Sequence, residues 1–112
     1  MSEPLTSRFC TPCRGGIPPL TPEEVEGHHR QTPAWAICDD SRRIERAFRF
    51  KDFAEAFAFL TRVAMHAEKV DHHPDFRVRW NRVDFELSTH SSGGITERDA
   101  ALAEAIDHLA GP

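Results

Sequence analysis

Phe76-Arg77-Val78-Arg79-Trp80-Asn81-Arg82-Val83-Asp84-Phe85-Glu86-Leu87 is the stretch that decides the fold. Apolar and charged residues alternate through Phe76, Val78 and Trp80, then again through Val83, Phe85 and Leu87. A period of two is that of a strand with one buried and one polar face. With Asn81-Arg82 as a two-residue turn, the stretch is an antiparallel hairpin in which Trp80 faces Val83, Val78 faces Phe85 and Phe76 faces Leu87. A one-residue slip would set apolar side chains against charged ones. Trp80 is read as core, because it continues the apolar face, and Arg77, Arg79, Asp84 and Glu86 line the polar face. Extending the register brings His73 opposite His90.

Working upstream, the period changes to that of a helix from about Asp52 to Lys69. Phe53, Ala56, Phe57, Leu60, Ala64 and Ala67 recur at three- and four-residue spacing and predict one apolar stripe. Asp52 and Glu55 suit its first turn. Before it, Ile44 to Phe50 reads as a strand, with Ile44, Phe48 and Phe50 on one side and Arg46 breaking the pattern. Trp35 to Cys38 reads as a shorter strand, closed by the polar turn Asp39-Asp40-Ser41. A short helix is expected at Thr21-Pro22-Glu23-Glu24, where Thr21 can cap and Pro22 suits the first helical position; Pro33 ends that segment. Downstream, Thr96 to Asp99 resembles a capping box with Asp in place of Glu. It opens a last helix with Leu102, Ile106 and Leu109 on its apolar edge.

The expected architecture is therefore α+β: a two-layer sandwich, ββαββα, with two helices on one face of a four-stranded antiparallel sheet and a short N-terminal helix ahead of it. Residues 1–20, with Pro4, Pro12, Pro18, Pro19 and Gly15-Gly16, are expected to be a flexible arm, and residues 21–112 a single domain. A chain of 112 residues has room for one core, and 39% hydrophobic with 29% charged residues is ordinary globular composition. Net charge is −4, and basic residues are interleaved with acids, as in Arg42-Arg43-Ile44-Glu45-Arg46. Direct nucleic-acid binding is not expected. No apolar run is long enough to span a membrane, and Met1 to Phe9 has no signal-peptide core, so no membrane association is expected. Three cysteines, Cys10, Cys13 and Cys38, are too few for a disulfide scaffold, and a cytoplasmic setting is the simplest expectation.

The chemistry gathers around histidine. His72 and His73 follow the long helix within Glu68-Lys69-Val70-Asp71-His72-His73-Pro74, and His90 ends the hairpin beside Ser91, Ser92 and Gly93-Gly94. Imidazole gives or takes a proton near neutral pH, and a neighbouring carboxylate fixes its tautomer. One loop histidine is ordinarily just a solvated polar residue; three converging ones are a constellation suited to proton transfer. Three imidazoles also match catalytic zinc in ligand number. Adjacent His72 and His73 diverge, however, and no HExxH places ligands on one helical face, so neither metal nor other cofactor is expected. Asp99 has a competing reading as a simple helix cap, and Trp35 is a candidate pocket wall. Cys10-x2-Cys13 with His28-His29 is a poor match to a Cys2His2 zinc site, because His-x3–5-His spacing is missing.

The run Glu68-x3-His72-His73-Pro74-x5-Trp80-x9-His90-x8-Asp99 resembles the signature of pterin-4a-carbinolamine dehydratases. Phe50-Lys51-Asp52-Phe53, Thr61-Arg62-Val63-Ala64, Leu87-Ser88-Thr89-His90 and Thr96-Glu97-Arg98-Asp99 are similar to the same family. The resemblance covers residues from about 20 to 110. It implies two helices packed on a four-stranded antiparallel sheet, and a homodimer or homotetramer. It implies loss of the 4a-hydroxyl from 4a-hydroxytetrahydrobiopterin or a related pterin, giving quinonoid dihydropterin and recycling the cofactor of aromatic amino-acid hydroxylases. His72, His73 and His90 are then the catalytic candidates, and Glu68, Asp71, Asp99 and Trp35 the substrate-binding ones. His72 and His90 form the acid/base pair while His73 orients the pterin. Two rival readings keep the fold: a non-catalytic dimerisation or coactivator role, and a related pterin role in molybdenum-cofactor metabolism.

Overall fold

The computed structural model describes residues 17–111. Cys10 and Cys13 therefore lie outside the described residues, as does most of the expected arm. The arm's last residue, Leu20, is held by its N–H, which donates to the Ile95 carbonyl at 2.8 Å. Helix α1 spans Pro22–His29, with a full capping box: the Thr21 side chain accepts from the Glu24 N–H, and the Glu24 carboxylate accepts from the Thr21 N–H. Strand β1 is Ala36–Cys38 and β2 is Arg43–Arg49. Helix α2 runs Phe53–Val70 from an Asp52 cap, β3 is Asp75–Arg79, and β4 is Arg82–Leu87. A 3-10 turn at His90–Ser92 leads to α3, Glu97–Ala110, whose capping box joins Thr96 and Asp99. The sheet is antiparallel throughout, in the order β1-β2-β4-β3. The expected α+β sandwich is the observed one.

One face of the sheet supplies Ile44, Phe48, Val83, Phe85 and Leu87 to a single core with Val25, Phe59, Val63, Leu102 and Ile106 from the helices. Aromatic rings carry its centre. Phe48, Phe59 and Phe85 lie 5.1 to 5.9 Å apart between centroids, two of the three pairs edge-on, as ring quadrupoles prefer. Arg46 sits on this apolar face because its charge is satisfied there. Its guanidinium lies 4.2 Å from the Phe48 ring centroid and pairs with Asp107 at 2.7 Å. The same Asp107 oxygen accepts from the Trp35 indole N–H at 2.8 Å.

Two expectations are corrected. The hairpin turns at Trp80-Asn81, one residue earlier than expected: Arg79 faces Arg82, Val78 faces Val83, and Phe76 faces Phe85. Trp80 leaves the ladder for a left-handed turn position, φ 51, and is 66% exposed rather than core. Asn81 fixes that turn. Its amide donates to the Phe50 carbonyl and its own carbonyl accepts from the Phe50 N–H, both at 2.8 Å. The second correction is the buried stripe of α2, which is Ala56, Phe59, Leu60, Val63 and Ala67. Phe53, Phe57 and Ala64 face outward, so α2 carries a second apolar face. Among the described residues no helix is long and apolar enough to cross a membrane.

Candidate active site

The long helix ends where the candidate site begins. Asp71 takes the left-handed C-cap conformation, φ 55, and its N–H donates to the Ala67 and Glu68 carbonyls. The chain then reverses through His72, whose N–H also reaches the Ala67 carbonyl at 3.1 Å, before Pro74 starts the entry to β3. Arg98 clamps this reversal from α3, donating to the Val70 carbonyl at 3.2 Å and to that of Asp71. A helix end with its last carbonyls met in this way holds the following side chains in place.

His72 is nearly buried, and its Nε2 lies 2.6 Å from Oδ1 of Asp99, which is fully buried at the start of α3. The other oxygen of Asp99 accepts from the Thr96 N–H at 2.9 Å and from the Thr89 hydroxyl at 2.7 Å. Thr89 and Thr96 hydroxyls are themselves 3.0 Å apart. A carboxylate that meets hydrogen-bond partners on both oxygens is fixed in orientation. In the tautomer whose Nε2 carries the hydrogen, that nitrogen donates to Asp99 and Nδ1 is the ring's acceptor. Asp99 thus serves two contacts at once: Oδ2 caps the helix and Oδ1 meets the His72 ring.

His73 Nε2 is 2.9 Å from Oε1 of Glu68, in an exposed pair. Its extended register partner is Ser88, not His90, because of the earlier turn. His90 is exposed and opens the short loop between Thr89 and Gly94, which pair as an isolated bridge. It follows Thr89 in the chain, the residue bonded to Asp99, so the loop that carries His90 is tied to the carboxylate that holds His72. The Asp71 side chain is exposed and forms no ion pair or hydrogen bond among the described residues. Trp35, expected as a pocket wall, is 1% exposed and fills the core against Phe85. Among the described residues no group of three or more His, Cys, Asp and Glu is arranged to hold a metal ion.

Thr89, Thr96 and Arg98 were not read as site residues from sequence. Thr96 was legible only as a cap, and nothing local distinguishes Arg98, whose carbonyl targets lie 27 and 28 residues away.

The family profile for pterin 4 alpha carbinolamine dehydratase matches residues 18–109. The chain belongs to that family. A protein of Rhizorhabdus wittichii, provisionally named as the family's dehydratase, is 52% identical over 94 residues, 84% of this chain and 97% of its own. A Rubrobacter xylanophilus protein of the same provisional name is 43% identical over 97% of this chain and all of its own length. The crystal structure of a transcriptional coactivator/pterin dehydratase from Brucella melitensis superposes with a TM-score of 0.79 at 42% identity. It covers 83% of this chain and 99% of that one. A pterin dehydratase-like protein identified as a RuBisCO assembly factor in the alpha-carboxysome superposes at 0.61 and 27% identity, covering 75% of this chain and 94% of its own.

Proposed function

We propose that this dehydratase-family chain removes water from a 4a-hydroxytetrahydropterin, 4a-hydroxytetrahydrobiopterin or a close relative, to give quinonoid dihydropterin. In this substrate one carbon bears both a hydroxyl and a ring nitrogen. The nitrogen electron pair expels the hydroxyl as the C–O bond breaks, an acid protonates the leaving oxygen, and a base takes a ring N–H proton. One proton is given and one is taken, with no change in oxidation state. His72 and His90 are the acid/base pair, His73 orients the pterin with Glu68 behind it, and Asp71 is a hydrogen-bond partner for the amino-pyrimidinone edge. The observation that carries this reading is the 2.6 Å contact of His72 with a buried, doubly anchored Asp99. A ring held in one tautomer presents one nitrogen to substrate at no reorganisation cost.

The test is turnover of 4a-hydroxytetrahydropterin generated in the assay by purified protein. Ala at His72 or His90 is expected to lower kcat by ~10²–10⁴-fold, and chelators are expected to leave turnover unchanged. Activity abolished by chelation and restored by zinc overturns the mechanism. A second reading, a protein-interaction role, is supported by the outward apolar residues Phe53, Phe57 and Met65 of α2, which are 51–70% exposed. Absence of pterin turnover with the fold intact would favour it. The chain is read as a homodimer or homotetramer, because β1 and β3 both leave backbone groups unpaired at the sheet edges.

A further inference from the structure

Gly94 is buried between two other segments of the chain, and its φ is not positive, so its backbone conformation does not call for glycine. Space does. A Cβ at Gly94 would stand 3.2 Å from the Pro19 Cβ, against 3.7 and 3.8 Å from Cγ and Cα of Arg42. The last two are ordinary carbon contacts, and the first is tighter than carbon atoms normally pack, at ~3.5–4.0 Å. Pro19 is held where it is. Its own ring fixes its φ, the Leu20 N–H donates to the Ile95 carbonyl at 2.8 Å, and the Leu20 side chain packs on the core. Arg42, on the other side, is held as well. Its N–H meets the Cys38 and Asp39 carbonyls at 3.2 and 3.1 Å, and its carbonyl accepts from the Ser88 hydroxyl at 3.0 Å.

Gly94 is also the foot of the loop that carries His90. The Thr89 N–H donates to the Gly94 carbonyl at 2.8 Å, and the Gly94 N–H to the Thr89 carbonyl at 3.4 Å. Within the loop the Ser92 N–H meets the Thr89 carbonyl at 3.0 Å and the Gly93 N–H meets the His90 carbonyl at 3.1 Å. The Thr89 hydroxyl donates to Oδ2 of Asp99 at 2.7 Å, and Oδ1 of Asp99 lies 2.6 Å from His72. A displacement of Gly94 therefore reaches His90 through the loop backbone, and His72 through Thr89 and Asp99. The contact adds little apolar burial, because Pro19 is exposed and Gly94 has no side chain. Its consequence is geometric.

We propose that Pro19 and Gly94 are positioning residues for the candidate acid/base pair. The chain entering α1 is a brace, and the His90 loop is set against it at Gly94. Both residues act through Thr89 rather than by touching substrate. The effect on turnover rests on the dehydratase reading above; the effect on the two rings does not.

The test joins steady-state turnover by the full chain, on 4a-hydroxytetrahydropterin generated in the assay, with NMR of the ¹⁵N-labelled His72 and His90 rings. In Gly94→Ala either Pro19 or the loop must give by a few tenths of an ångström. Misplacement by ~1 Å can cost ~10²-fold, so kcat is expected to fall roughly 3- to 10-fold, with KM changed less than about twofold. The ring signals of His90 and His72 are expected to move with it. Pro19→Gly removes the facing Cβ and loosens the brace. Alone it is expected to lower kcat by about threefold at most, on the same scale of misplacement, and to move the His90 signals. In that background Gly94→Ala is expected to cost nothing further, whereas beside Pro19→Ala, which keeps the Cβ, its cost is expected to persist. Pro19→Gly cannot clash, so it reads the brace even if Gly94→Ala does not fold. Equal losses from Gly94→Ala in the wild-type and Pro19→Gly backgrounds overturn the Pro19 contact as the cause. Lower stability in urea with kcat and ring signals unchanged makes the contact purely structural and overturns the inference. Ring signals that move as expected in a protein without pterin turnover keep the brace and sink the dehydratase reading instead.

Discussion

Replacing Asp99 with Asn would leave the shape of the α3 cap nearly intact while changing what His72 can do. The amide can still accept from Thr89 or Thr96 on one atom, but it no longer offers a charge to the imidazole N–H. On the proposed mechanism Asp99 positions His72, so kcat is expected to fall by ~10²–10⁴-fold, the loss typical of a general acid or base that is no longer correctly presented, with KM little altered. Asp99→Ala would in addition strand buried donors, each costing about 1–3 kcal/mol, and urea denaturation would register that loss. An Asn variant whose kcat matches wild type would remove Asp99 from the mechanism. Sequence offered Asp99 as a helix cap or a substrate-binding residue and did not reveal its contact with His72. The cap is a local pattern three residues long, whereas the His72 contact joins positions 27 apart. Histidine spacing alone picks out candidate side chains, not which nitrogen of each ring is free.

At the scale of elements, periodicity and capping signals located the four strands and three α-helices among the described residues but left two phases undetermined. A hairpin whose residues alternate with period two looks equally good when its pairing shifts by two, since apolar still meets apolar. What broke the tie was Asn81, whose backbone and side chain are both tied to Phe50 thirty-one residues upstream. Helix α2 has apolar residues on two faces, and only packing decides which is buried. Phe59→Ala is accordingly expected to cost about 3–5 kcal/mol, while Phe57→Ala, on the outward face, should change chain stability by less than about 0.5 kcal/mol. Equal losses in chemical denaturation would return the stripe to its expected phase. The β1–β2 turn offers a test of backbone strain. Asp39, Asp40 and Ser41 are all left-handed, with φ of 54, 53 and 65. Asp39 is held by Arg42 and Arg43, but Asp40 has no ion pair among the described residues. Asp40→Gly is expected to stabilise by about 0.5–1 kcal/mol, because glycine adopts this region without a Cβ penalty. Asp40→Val should destabilise.

For the whole molecule the sheet order matters more than any one element. β1–β2 and β3–β4 are local hairpins, but the central pair β2–β4 joins Ile44 to Leu87, with all of α2 in the intervening loop. Closing a loop of that size before its contacts form is entropically costly and slow. Amide protection in β2 is therefore expected to appear only together with that of β4 in pulse-labelled hydrogen exchange during refolding. Protection of β2 appearing with β1 alone would contradict this order. During synthesis, then, the edge of β2 that will meet β4 waits unpaired while about forty further residues are made, with Ile44 and Phe48 still uncovered. Charges at Arg43, Glu45, Arg46 and Arg49 flank those two side chains along the strand, and charged residues set beside an apolar strand discourage it from pairing with other chains. The same residues that order the finished sheet also keep the nascent chain from joining its neighbours on the ribosome too early.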